Sequence, residues 1–175
     1  MATELHDLTI PVFLRGFASM AAILEKGRAH ADENGIAHED LLQARLVEDM
    51  HPLVYQVQRA SDAAKFTAAR LGEVESVAME DNEASFDDLQ DRIARTVAFL
   101  RTVPAEAING REDAVITIKL PNRSFEMSGL AYAQGFALPN FYFHATMTYA
   151  LLRMKGVPLG KMDFLGGQPT APEKP

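Results

Sequence analysis

Two groups of residues in this 175-residue chain could do chemistry. One is a histidine inside an aromatic run; the other is a set of polar side chains inside an apolar helix. The run Pro139–Arg153 reads PNFYFHATMTYALLR and places His144 beside Phe141, Tyr142 and Phe143. An imidazole titrates near neutral pH, so His144 could act as a general acid or base, oriented by Tyr55 or Asp49. Its plainer role is a buried imidazole bonded to a backbone carbonyl, a hydroxyl or water. The stretch YQVQRASD puts Tyr55, Gln58 and Asp62 at i, i+3 and i+7, on one side of a helix. Such a set either lines a pocket or faces solvent. Gln56 and Arg59 are offset from it, so one of the two sets must turn outward.

Composition narrows the chemistry further. Lys and Arg number 17 against 24 Asp and Glu, a formal net charge of −7. That balance argues against nucleic acid and against an anionic membrane surface, both of which need clustered cations. There are no cysteines, so thiolate nucleophiles, disulfides and Cys-ligated metal centres are excluded. No G-x-S-x-G, Walker or G-x-G-x-x-G motif occurs. The N-terminal MATELHDLTIPVF lacks the pattern of a signal peptide, and no apolar run is long enough to span a membrane. The expected setting is the cytoplasm.

The elements that would position these residues are mostly helical. The apolar spacing of Val12, Phe13, Phe17, Met20, Ile23 and Leu24 predicts a first helix over 9–34, with Pro11 at its start and Asn34-Gly35 at its end. Gly16 and Gly27 inside it mark either close helix contacts or tolerated defects. A short helix over 39–47 and a long one over 49–71 follow, with Pro52 and His51 in the first turn of the long one. The acidic stretch 73–84 reads as a solvated loop without the spacing of a calcium site. Ser85, with Asp88 three residues on, starts a third long helix whose stripe is Leu89, Ile93, Val97 and Leu100. The β-branched run AVITIKL over 114–120, a Pro121-Asn122 turn and a returning strand over 123–127 make a hairpin that must lean on the helices or on another chain. The last helical region, 130–155, is interrupted at Pro139, with the long part over 140–155. An extended, turn-rich tail follows, in which Lys161 and Asp163 are placed to tether it and Phe164 and Leu165 to plug a groove.

The block PNFYFHATMTYALLRMKGVPLGKMDFLG, the block EDMHPLVYQVQRASDAAKFTAARL and the order helix, helix, helix, hairpin, helix together resemble an uncharacterised domain family within the DinB/YfiT-like superfamily. The resemblance covers nearly the whole chain. It implies an all-α fold: a DinB-like four-helix bundle, with a small β-hairpin between the third and fourth helices. With no internal repeat and a Pro-rich end, the chain is expected to form one domain over 1–167, with 168–175 a flexible tail. Members of the wider superfamily are similar to metal-dependent enzymes, including thiol transferases, that hold a divalent ion with one histidine from the second helix and a His-x-x-x-His pair from the fourth. Two imidazoles at i and i+4 share a helix face and converge on one ion.

Carried onto this chain, that pattern offers His51 and His144. Thr148 stands where the second histidine of the pair belongs, and Asn140 stands four residues before His144. Two histidines with a carboxylate or water could still hold zinc, nickel or iron; Glu48 and Asp49 are near His51 in sequence, and Asp62 is about three turns along. The resemblance thus supports a bundle with a degenerate metal site that binds a small ligand or acts as an oligomer, a homodimer being the expected assembly. The alternative is a divalent-metal-dependent thiol transferase or hydrolase using His51 and His144. The expected pocket residues are Asp49, Tyr55, Gln58, Asp62 and Thr148.

Overall fold

The computed structural model describes residues 3–120 and 122–166. The expected tail over 168–175 and Pro121 of the hairpin turn lie outside the described residues. Four long helices carry the fold: α1 (Ile10–Asn34), α3 (Leu53–Gly72), α4 (Phe86–Thr102) and α7 (Leu138–Met154). Between them run the short helices α2 (His38–Leu42) and α5 (Ala105–Ile108), the strands β1 (Val115–Leu120) and β2 (Arg123–Ser128), and α6 (Gly129–Tyr132). A π-helical turn, Ala133–Ala137, joins α6 to α7, and α8 (Lys161–Phe164) closes the described chain. α3 packs on α4 and α7, and α1 packs on the other sides of the same two helices, so the four enclose one core.

The sequence pattern explains the packing. In α3, Leu53, Val57, Ala60, Ala64 and Ala68 are fully buried. Alanine at every fourth position lets α3 approach its neighbours closely. In α1, Phe13 and Phe17 meet the edge of Phe141 from α7 at centroid distances of 5.0 and 5.1 Å. Gly16 sits at that crossing, and a Cβ there would collide with the Phe141 ring. It is therefore a close-contact residue. Ser85 caps α4 by accepting the Asp88 amide at 3.1 Å, and Asp88 in turn accepts from the Ala84 amide at 3.0 Å. The reciprocal bond thus reaches one residue further back than in a standard capping box.

The hairpin is antiparallel, with Val115 opposite Ser128 and Leu120 opposite Arg123. Ile116 and Ile118 bury one face of β1 on the bundle, while Val115 points to solvent. The period-2 alternation of the sequence is therefore what seats the hairpin. Asp163 tethers the final turn through Lys26 at 2.6 Å, and Phe164 packs edge-on against Tyr149.

Three expectations need correction. Residues 43–52 are irregular, and α3 begins at Leu53 with Pro52 extended before it, so His51 lies on a loop and not in a helical turn. A residue preceding proline is pushed away from helical geometry, which accounts for the shift. Pro139 does not interrupt the last helix; it sits in the first turn of α7, directly after the π turn. That turn accommodates the backbone bond that proline cannot donate. The stretch 157–166 contains a helical turn, α8, where extended chain was expected. The acidic connector over 73–84 is irregular and mostly exposed, as expected, and it is also docked on the bundle. Its Asp81 and Glu83 reach Arg92 of α4 at 2.9 and 2.7 Å, and Asp81 also pairs with Arg59 of α3.

Candidate functional site

A cleft of about 310 Å³ opens between α3, β1, the π turn and α7. One stripe of α3 forms its floor: Tyr55, Arg59, Asp62, Phe66 and Arg70, at i, i+4, i+7, i+11 and i+15. At 1.5 Å per residue this stripe runs roughly 20 Å, so the cleft is a groove. Tyr132, Phe136 and Ala137 wall it from α6 and the π turn. Ile118 and Lys119 close it from the hairpin, and Asn140 and His144 from α7. The π turn places Phe136 and Ala137 on this wall, and π turns often mark functional sites.

His144 is held by one side chain that sequence reading passed over. The Gln56 amide nitrogen donates to the His51 carbonyl at 2.9 Å. A carbonyl can only accept, so the amide orientation is fixed and Gln56 Oε1 must face His144. It lies 2.8 Å from His144 Nδ1. Nδ1 therefore carries the proton, and Nε2 keeps its lone pair in the neutral ring. Burial pushes the His144 pKa down to about 4. Arg59 and His51 act in the same direction and Asp62 opposes them. At neutral pH the ring is uncharged, and the nitrogen free to meet a ligand in the cleft is Nε2.

The other expected site residues fall in different places. Tyr55 lines the cleft, with its ring stacked on His51 at 3.8 Å and edge-on to His144 at 6.4 Å. The two histidines thus share Tyr55 as a neighbour, but the His51 ring is exposed and engaged in that stack. Asp62 lines the cleft with its carboxylate bound to Lys65 and Arg59 at 2.9 Å and to Arg92 at 3.3 Å. Gln58 is buried and turns away, donating to Glu83 at 2.8 Å. Thr148 is fully buried and bends back to donate to the His144 carbonyl at 3.0 Å. Asp49 is exposed on the 43–52 loop. The polar set of α3 facing the cleft is therefore Tyr55, Arg59 and Asp62. A search at helical spacing for mixed aromatic and cationic stripes could have found it, since Phe66 and Arg70 extend it.

The three-histidine metal arrangement implied by the superfamily does not fit these residues. The hydroxyl at the position of the missing histidine is committed to the backbone, and the one carboxylate in the cleft is committed to three cations. No group of three or more His, Asp or Glu side chains among the described residues is placed to hold a metal ion. No helix among them is long and apolar enough to cross a membrane.

Comparison with known proteins agrees with the fold. The solved structure of a DinB family member protein from Shewanella denitrificans is similar to this chain, with a TM-score of 0.87 and 34% sequence identity. The match covers 95% of this chain and 94% of that one. No curated protein matches the sequence. A family model described as "Domain of unknown function (DUF1993)" matches residues 5–165, and this chain, built on a DinB-like fold, belongs to that family.

Proposed function

We propose that this protein is a DinB-like bundle with a degenerate metal site that binds a small organic ligand in the α3–α7 cleft. The observation that carries this reading is the relay from the His51 carbonyl through Gln56 to His144. It fixes one tautomer and leaves Nε2 of the neutral ring, on a residue that lines the cleft, as a hydrogen-bond acceptor. An acceptor held this way receives an N–H or O–H from a bound molecule, and at lower pH it takes up a proton. The cleft volume falls at the lower end of the range for small-molecule sites, roughly 300–1,000 Å³.

A second reading uses the same free Nε2 as one ligand of a zinc, nickel or iron ion, with His51 as another, in a thiol transferase or hydrolase. Metal-ligating histidines also have their second nitrogen held by a hydrogen-bond partner, as Gln56 holds Nδ1 here. Calorimetric titration of metal-free protein with zinc chloride separates the two. The ligand reading expects no one-to-one uptake that depends on His144. Stoichiometric uptake that disappears in both His51→Ala and His144→Ala would overturn it in favour of the metalloenzyme.

A further inference from the structure

We infer that the ligand is a small carboxylate with an apolar or aromatic body, and that Arg70 binds its carboxylate. This rests on the ligand reading of the cleft and adds the ligand's chemical class. Arg70 lies in the last turns of α3, half-buried at the end of the groove away from His144. Its guanidinium donates to the Tyr132 hydroxyl at 2.9 Å. Its central carbon lies 5.3 Å from the Phe66 ring centroid and 5.7 Å from that of Tyr132. One hydroxyl and two aromatic rings thus fix the plane of the fork before any ligand arrives.

No carboxylate among the described residues pairs with that fork. Arg59, about three turns earlier on the same stripe, is already bound to Asp62 and Asp81. Arg92, behind the same stripe, has Asp62, Asp81 and Glu83. Arg70 is different in having only a neutral hydroxyl, which satisfies one of its five N–H donors. Lys119 of β1 lines the same cleft, and the cleft's single carboxylate, Asp62, is neutralised by its own partners. In a chain of net charge −7, the free charge in this groove is positive.

A rigid planar fork with two donors aligned matches a carboxylate better than a point charge does. Between Arg70 and His144 the groove carries Phe66, Phe136 and Tyr55 beside the mutually paired Arg59 and Asp62, so a flat body that follows the carboxylate can lie along the rings. Tyr132 is a positioning residue: its hydroxyl holds Arg70.

The test is a chemical-shift titration of the protein with 3-phenylpropionate and with 3-phenylpropan-1-ol, which share a body and differ in charge. The acid is expected to shift cleft resonances of Phe66, Phe136 and Tyr132 and to bind at least tenfold more tightly than the alcohol. Arg70→Gln should weaken the acid at least tenfold and leave the alcohol unchanged. Arg70→Lys, which keeps the charge and loses the fork, should recover only part of the loss. Thermal melts of each variant establish that it is folded. Equal affinity for acid and alcohol, or unchanged acid binding in folded Arg70→Gln, overturns the carboxylate assignment while leaving the cleft as a ligand site. Absence of cleft shifts with either compound overturns both.

Discussion

Arg92 and Arg70 are both guanidiniums taken partly or wholly out of water, and the bundle treats them in opposite ways. Arg92 is 1% exposed and is surrounded by three carboxylates and the Glu80 carbonyl. Through them it straps the acidic connector to α3 and α4. Arg70 is half-buried, faces a groove, and has a phenol and two ring faces but no counter-charge among the described residues. A buried cation that is fully paired holds the fold together; removing Arg92 strands Glu83 and weakens the hold on Asp62 and Asp81. A cation that is oriented but unpaired, at the edge of a cavity, has its strongest interaction still unmade. Charge bookkeeping around a side chain thus separates structural arginines from binding arginines more clearly than burial alone.

The largest effect that could break this contrast is at Arg92. Arg92→Met leaves the largely buried Glu83 side chain without its cation and takes one of their cations from Asp62 and Asp81, which keep Arg59. Urea denaturation is expected to show a loss of about 3–5 kcal/mol. A loss below about 1 kcal/mol would mean that the connector is not held by this network.

His144 gives the next effect, through pH. Folded, its pKa is about 4; unfolded, it returns to near 6.5. Between those values the unfolded chain binds more protons, so stability falls as pH drops from about 6.5 toward 4, and His144 contributes no slope above that range. Arg59 and His51 reinforce the depression caused by burial, and Asp62 opposes it. Because the ring is only partly buried, the loss should be about 1–2 kcal/mol after allowance for solvent screening. Comparing stability at pH 7 and pH 4.5 in the wild type and in His144→Gln isolates it: the difference should shrink in the variant.

The smallest effect completes the contrast. Arg70→Gln should change stability by less than about 1 kcal/mol, because no ion pair is lost. A loss as large as that at Arg92 would place Arg70 among the structural residues and contradict the comparison.

Much of the fold was legible because its signals are local. The stripe of Leu89, Ile93 and Leu100, the Ser85 cap and the alternation that buries Ile116 and Ile118 each lie within a few residues. Gly16 offered two readings in the sequence, and only its contact with Phe141, on another helix, chose between them. The uninterrupted helix through Pro139 was not legible, because a π turn before it removes the conflict that a proline normally signals. The docked connector was hidden for a different reason. Its acidic composition reads as solvated chain until Arg59 and Arg92, on two separate helices, are seen to face it.

The candidate site was legible to the same degree. Tyr55, Asp62 and His144 could be singled out as polar groups within apolar helices, and the structure puts all three on the cleft. Gln56, the residue that sets the state of His144, lies 88 positions away from it in sequence. Arg70 meets its Tyr132 partner across 62 positions. Neither relation has a periodicity to betray it. Gln58 and Thr148 had suitable chemistry and face elsewhere, since a shift of one or two residues on a helix turns a side chain by 100–200°.

The state of the His144 ring separates a ligand cleft from a metal site, and that state can be observed directly. A long-range ¹H–¹⁵N spectrum of the histidines, recorded from pH 7 down to pH 4 with and without one equivalent of zinc, tests it. The expected result is a neutral His144 with its proton on Nδ1, an unprotonated Nε2, a pKa near 4 and no change on adding zinc. A proton on Nε2, a pKa near the usual 6.5, or a zinc-dependent shift of Nε2 matched by one at His51 would contradict it.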